Sequence, residues 1–180
     1  MYNNRNEIRK EVRRELRREE KNNKPIFEIS TIIKYIVMGI IFSAIIYGVR
    51  TVVMTALAAS PTGKVGNGMV SLYEVHNTGA AFNLLHGQPE MLIMASFLAV
   101  AIISFIVIVM SARLSHNAVS SMALLASGIV MNLSERLAHG FVIDYIHLDF
   151  MPTVPMFNTA DIMIIFGALG IIISLFNRKE

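Results

Sequence analysis

A chain of 180 residues that is 54% hydrophobic and 16% charged, with a mean hydropathy of +0.54, has too little polar surface for a water-facing globule. Its net charge of +3 comes from the first thirty residues, which hold nine of the 16 Lys and Arg and six of the 13 Asp and Glu; the rest is net neutral. A nucleic-acid partner is therefore not expected, and with no cysteine the chain has no disulfide, thiolate metal site, iron–sulfur cluster or cysteine nucleophile.

The charged start is too long and too polar for a cleavable secretory signal and is expected to stay on the protein. Within it Ile8, Val12 and Leu16 recur every four residues, and Glu7 with Lys10, Glu11 with Arg14 and Glu15 with Arg18 stand at i,i+3. This predicts an exposed helix ending near Asn22 and Asn23, either a solvated arm or a stripe resting on lipid, with Pro25 as its breaker. Residues 1–30 thus read as an arm and 31–180 as a membrane domain.

Four apolar segments follow: about Ile32 to Leu57, interrupted by Arg50; Met91 to Ser111; a third between Arg113 and Glu135; and about Phe157 to Phe176. Twenty-one residues at ~1.5 Å each make ~31 Å, the depth of a hydrocarbon core. The arm, Arg113 with His116, and Arg178 with Lys179 fall on one side, which the positive-inside rule makes cytoplasmic. Both termini are then expected inside, and two connections, about 58–90 and 138–156, outside. In the first, Met69 to His76 roughly alternates apolar and polar residues after Pro61, Gly63, Gly66 and Gly68, as a short exterior strand would. The fold class expected is all-α, with four transmembrane helices, a small extracytoplasmic β element and a charged N-terminal helical arm.

An ionisable group at the centre of a spanning helix costs about 2.5–3.5 kcal/mol on insertion scales, so each such residue needs a reason. Arg50, Glu135, Arg136, Asp144 and Asp161 all fall toward the outer face. Asp144 and Asp161, at the ends of two helices joined by one loop, are able to meet. Two close carboxylates in a dry site share one proton, one acting as base and the other as acid, which suits water attack on a peptide carbonyl. Spacing alone favours a plainer account: Asn158 as helix N-cap with Asp161 three residues on, and Asp144 as a loop carboxylate paired with Arg136. The sequence has no His-Glu-x-x-His and no Gly-x-Ser-x-Gly, and His139 and His147 lack a convincing third metal ligand.

Three blocks carry a family resemblance: Asn77-Thr78-Gly79-Ala80-Ala81-Phe82; Asn132-Leu133-Ser134-Glu135-Arg136 continuing through Gly140 to Asp144-Tyr145-Ile146; and Phe157-Asn158-Thr159-Ala160-Asp161. Over roughly residues 32–176 the chain resembles lipoprotein signal peptidase, signal peptidase II. The resemblance implies a multi-pass aspartic endopeptidase of the bacterial inner membrane that removes the signal peptide from diacylglyceryl-modified prolipoproteins. Asp144 and Asp161 match the family's catalytic pair. Asn77, Gly79 and Phe82 match its substrate-cradling block, and Asn132, Arg136 and Asn158 its supporting polar positions. No metal or organic cofactor is implied; the partners implied are lipidated prolipoproteins and membrane lipids, and a monomer is expected.

Two places depart from the family pattern. Tyr47-Gly48-Val49-Arg50-Thr51 stands where an acidic residue and a lysine are usual, and Glu135 stands where aspartate is usual. Arg50 is expected to replace the lysine, and Glu135 to pair with Arg136. The alternative these departures leave open is a weak or inactive four-span scaffold that binds lipidated precursors. A channel or small transporter fits less well, because the charges gather at one end of the spans.

Overall fold

The computed structural model describes residues 2–22, 27–66, 68–79, 85 and 87–177. Helix α1 (Tyr2–Asn22) ends where the sequence predicts, and its Ile8, Val12 and Leu16 are all exposed. Helices α2 (Ile29–Ala59), α3 (Pro89–Val109), α4 (His116–His139) and α5 (Thr159–Phe176) follow, each long and apolar enough to cross a bilayer. With a three-stranded antiparallel sheet they make the expected class, a mostly helical four-span membrane protein.

Which helix takes the centre follows from composition. Lipid tails are as apolar as leucine, so an apolar helix gains little by burial, whereas a helix carrying Ser, Asn, Glu and Arg must turn them toward protein. Helix α4 is the least apolar of the four spans and the most enclosed, with 44% of its core window buried against 6–17% for the others. It packs against α2, α3 and α5. Glycine allows α4 and α5 to approach closely: a Cβ on Gly128 would come within 2.5 Å of the Ala160 carbonyl, and one on Gly167 within 2.5 Å of the Leu125 amide. Helix α2, at ~1.5 Å per residue over 31 residues, is ~46 Å long, and so tilts in the bilayer or projects beyond it.

The sheet lies between the helix ends. Strands β1 (Val65–Gly66) and β2 (Val70–Asn77) come from the first long connection, where an exterior strand is predicted. The second connection differs from expectation. It forms β3 (Val142–Leu148), paired antiparallel with β2 so that Val75 faces Asp144 and Asn77 faces Val142. Asp144 is therefore a strand residue and not a helix-end residue. The strand's first four residues are all buried, and burial on both faces removes the period-two alternation that would reveal it.

Three local devices fix where the site residues fall. Gly140, with φ +81, ends α4 in the left-handed conformation and donates its N–H to the Arg136 carbonyl at 2.9 Å, which turns the chain straight into β3. Phe157 bridges Ile146 through N–H···O bonds of 2.8 and 3.2 Å, laying the entry to α5 alongside β3. The buried Tyr145 hydroxyl bonds the Thr159 hydroxyl at 2.5 Å and accepts from the Thr159 N–H at 3.2 Å, clamping the first turn of α5 to the strand.

Candidate active site

These devices bring Asp144 and Asp161 to a single asparagine. The Asn158 side-chain amide donates to Asp144 Oδ1 at 3.0 Å, and the Asn158 backbone N–H donates to Asp161 Oδ2, also at 3.0 Å. The second bond belongs to a capping box, since Asn158 Oδ1 in turn accepts from the Asp161 N–H at 3.0 Å. The helix-cap role of Asn158 and Asp161 is therefore real, and Asn158 also reaches the second carboxylate. Capping consumes only one oxygen of each side chain, which leaves the Asn158 amide nitrogen and Asp161 Oδ1 free to bond elsewhere.

The free positions are filled from other elements. Asn132, on α4, donates to Asp161 Oδ1 at 2.7 Å and accepts from the Asn158 amide at 3.1 Å. Asn77, ending β2, donates to Asp144 Oδ2 at 2.8 Å, while its own oxygen accepts from the Gly79 N–H at 2.9 Å and so closes the expected turn. Arg136 donates to the Gly79 carbonyl at 2.8 Å and holds that turn against α4. Seven of the residues singled out from sequence thus lie together: Asn77, Gly79, Asn132, Arg136, Asp144, Asn158 and Asp161. Phe82 lies outside the described residues.

The electrostatics of the pair follow from these bonds. Among the described residues, both bonds into the Asp144 carboxylate come from asparagine amides, which only donate and so favour its charged form. Burial acts the other way on Asp144, which is 3% exposed. Desolvation pushes its carboxyl up to about 6, against the Asn77 amide; the nearby Asp161 charge adds to the rise, and the Asn158 amide and the Arg136 guanidinium oppose it. A cavity of about 10 Å³ lies on the side lined by Arg50, Asn132, Glu135 and Asn158, too small for a substrate group. Access to the carboxylates must come from elsewhere.

Two expected pairings are not formed. Glu135 does not pair with Arg136; its Oε1 lies 2.5 Å from Arg50 Nε and its Oε2 accepts from the Ile143 N–H at 2.7 Å. The Arg50 contact is an ion pair off the N–H axis and not an aligned hydrogen bond. Nor is Asp144 an ordinary loop carboxylate tied to Arg136, because asparagine amides occupy both its oxygens. Neighbouring positions on a helix, such as 135 and 136, point about 100° apart, so Glu135 faces α2 while Arg136 faces the β2 turn. Sequence spacing signals the need for partners at Arg50 and Glu135, but only the packing of α2 on α4 pairs them. The Tyr145–Thr159 clamp carries no such signal. Among the described residues no group of three or more His, Asp or Glu gathers as a metal site would require.

Residues 32–177 match the family described as signal peptidase (SPase) II. A lipoprotein signal peptidase of Halothermothrix orenii is 32% identical over 133 residues, covering 73% of this chain and 88% of its own. Another, from Dehalococcoides mccartyi, is 32% identical over 67% of this chain and 76% of its own, and one from Lactiplantibacillus plantarum is 24% identical over 78% and 93%. Two solved bacterial membrane enzymes share the fold at TM-scores of 0.65 and 0.62, with 22% and 21% identity, each over 87% of this chain and 96% and 98% of theirs.

Proposed function

This chain belongs to the signal peptidase II family, and from that membership we propose that it removes signal peptides from diacylglyceryl-modified prolipoproteins by the joint action of Asp144 and Asp161. The observation that carries the aspartic mechanism is the shared contact: one asparagine donates to both carboxylates, at 3.0 Å each. No fold requirement demands a second buried carboxylate beside a capping box that is already complete.

The proposed chemistry uses one proton on the pair. Asp144 holds it, favoured by burial, and Asp161 is the base. Asp161 takes a proton from water as the hydroxyl oxygen bonds to the scissile carbonyl carbon, and Asp144 gives its proton to the carbonyl oxygen. The C–N bond then breaks: Asp161 passes its proton to the leaving nitrogen and Asp144 recovers one from the diol. The products are a free carboxyl on the signal peptide and a free amine on the lipidated cysteine, with the pair restored. Acid–base catalysis of this kind supplies typically ~10² to 10⁴ in rate, and positioning adds to it. In this scheme Asn132, Asn158 and Asn77 orient the carboxylates, Arg136 steadies the turn at Gly79, and Gly79 and Phe82 border the substrate.

The sheet end is proposed to face outward and both termini the cytoplasm, in a membrane domain of residues 31–180 preceded by the arm. Supporting this, Arg113 and the start of α2, which the cationic α1 precedes in the chain, lie at the end opposite the sheet. A prolipoprotein's signal helix would then lie among the spans, with its lipidated cysteine at the outer interface beside the pair. One chain supplies every group of the site, so the chemistry needs no second subunit.

The test is cleavage of a diacylglyceryl-modified precursor in membranes holding equal amounts of wild type, Asp144→Asn or Asp161→Asn. Loss of cleavage in both variants is the expected result, and normal processing by either refutes the assignment. A wild type that binds precursor without ever cutting it would favour the scaffold reading suggested by the altered Arg50 and Glu135 positions.

A further inference from the structure

Helix α1 precedes the residues 32–177 that match the family, and the proposed chemistry does not use it. Its described side chains, Arg5 and residues 7–17, are all exposed. At 100° per residue, positions four apart form ridges along the helix. Ile8, Val12 and Leu16 make an apolar ridge. Glu7, Glu11 and Glu15 run along one flank of it and Arg9, Arg13 and Arg17 along the other, each roughly 100° away, while Lys10 and Arg14 point to the far side.

We propose that this face pairs with the same face of a second copy of the chain, the two α1 helices running parallel. Charge complementarity selects that occupant. A two-fold axis parallel to the helices sets the Glu flank of each copy against the Arg flank of the other, on both sides of the apolar seam. An antiparallel pair sets Glu against Glu and Arg against Arg. Two copies inserted the same way present α1 from the same side, each joined to its membrane domain at the C-terminal end of α1, which favours the parallel sense. The four-residue spacing suits a short crossing at about −50°, not an extended coiled coil, which needs alternating steps of three and four.

An anionic lipid surface fits the face less well. Against like-charged headgroups the Glu flank cancels the Arg flank, and Lys10 and Arg14 point away from the surface. Pairing refines the expectation of a monomer: each copy keeps a complete active site and the arms join two of them.

The chain lacks cysteine, so one introduced thiol reports contact without background. Full-length Val12→Cys and Lys10→Cys proteins are placed in phosphatidylcholine vesicles and oxidised in air with a copper catalyst. Covalent dimers are expected about tenfold more abundant at position 12 than at position 10, and differently tagged copies of the unaltered chain are expected to co-purify. In the Val12→Cys background, reversing one flank (E7R/E11R/E15R, or R9E/R13E/R17E) is expected to lower dimers about tenfold, and mixing the two reversed proteins to restore them. Equal crosslinking at both positions, or no response to either reversal, overturns the proposal. So does protection of the position-12 thiol on adding phosphatidylglycerol, which would make lipid the occupant.

Discussion

The two ends of the four-helix bundle close against water by different means. Away from the sheet, none of the polar contacts among the described residues joins two charged groups under burial: Lys34 Nζ meets His116 Nδ1 at 2.7 Å and Ser30 bonds Glu28 at 2.9 Å in exposed positions, while the Glu28 N–H donates to Ser111 Oγ at 2.9 Å and Ser115 caps α4 through the Ala118 N–H in part-buried ones. At the sheet end, side chains from α4, α5, β2 and β3 bond one another away from water. The first arrangement is sufficient to finish helices. A half-satisfied buried network is worse than an apolar core, so the second is retained at a cost that structure alone does not require. Capping and ion pairs at an interface are structural; carboxylates brought together under burial point to chemistry.

The largest effect that would break this contrast is on rate. Asp144→Asn and Asp161→Asn are each expected to lower cleavage of a lipidated precursor by about 10²-fold to 10⁴-fold with unchanged membrane yield, measured on purified protein. Residual rates near wild type would make the sheet end structural after all.

Next in size is stability. Glu135→Ala leaves Arg50 without its counter-charge among largely buried surroundings and removes the acceptor for the Ile143 N–H, one residue before Asp144. A loss of about 3–5 kcal/mol in unfolding free energy is expected, with Arg50→Met plus Glu135→Met recovering most of it. Recovery of stability without recovery of rate would separate the pair's packing role from its positioning of β3.

A pH series sharpens the comparison further. The native Asp144 carboxyl is raised from 3.8 to about 6, so between those values the folded protein holds a proton that the unfolded chain releases. Its contribution to stability is therefore complete below about 4 and is lost as pH rises through about 6. The cleavage rate should likewise fall on the alkaline side as the acid form of the pair is titrated. Thermal scans of wild type against Asp144→Asn should differ in slope across this window and run parallel outside it. The smallest effect belongs to the opposite end: Lys34→Ala, at an exposed contact, should move stability by no more than about 0.5 kcal/mol and leave cleavage unchanged.

The sequence made some of this legible and hid the rest for physical reasons. Span lengths are set by bilayer thickness, so α2 to α5 could be found from apolar runs alone. Asn158 and Asp161 announce a helix start because capping depends on a fixed local spacing. Strand β3 was hidden because its first four residues are buried on both faces, and its polar Asp144 and His147, three apart, do not give the period-two alternation of a half-buried strand. The true partner of Glu135 was hidden because Arg50 lies on another helix, at a separation no local rule encodes. What spacing cannot give is that Asn158 serves cap and carboxylate pair at once, since that depends on β3 lying against the entry to α5.

In the proposed mechanism the two carboxylates deliver water directly to the peptide carbonyl. A single turnover of purified enzyme on a lipidated precursor in heavy-oxygen water, followed by mass spectrometry of the released signal peptide and of the enzyme, decides it. One heavy oxygen in the peptide's new carboxyl group, and none in Asp144 or Asp161, is the result expected. Heavy oxygen missing from the first-turnover peptide, with an enzyme carboxyl having supplied its own atom instead, would contradict the account.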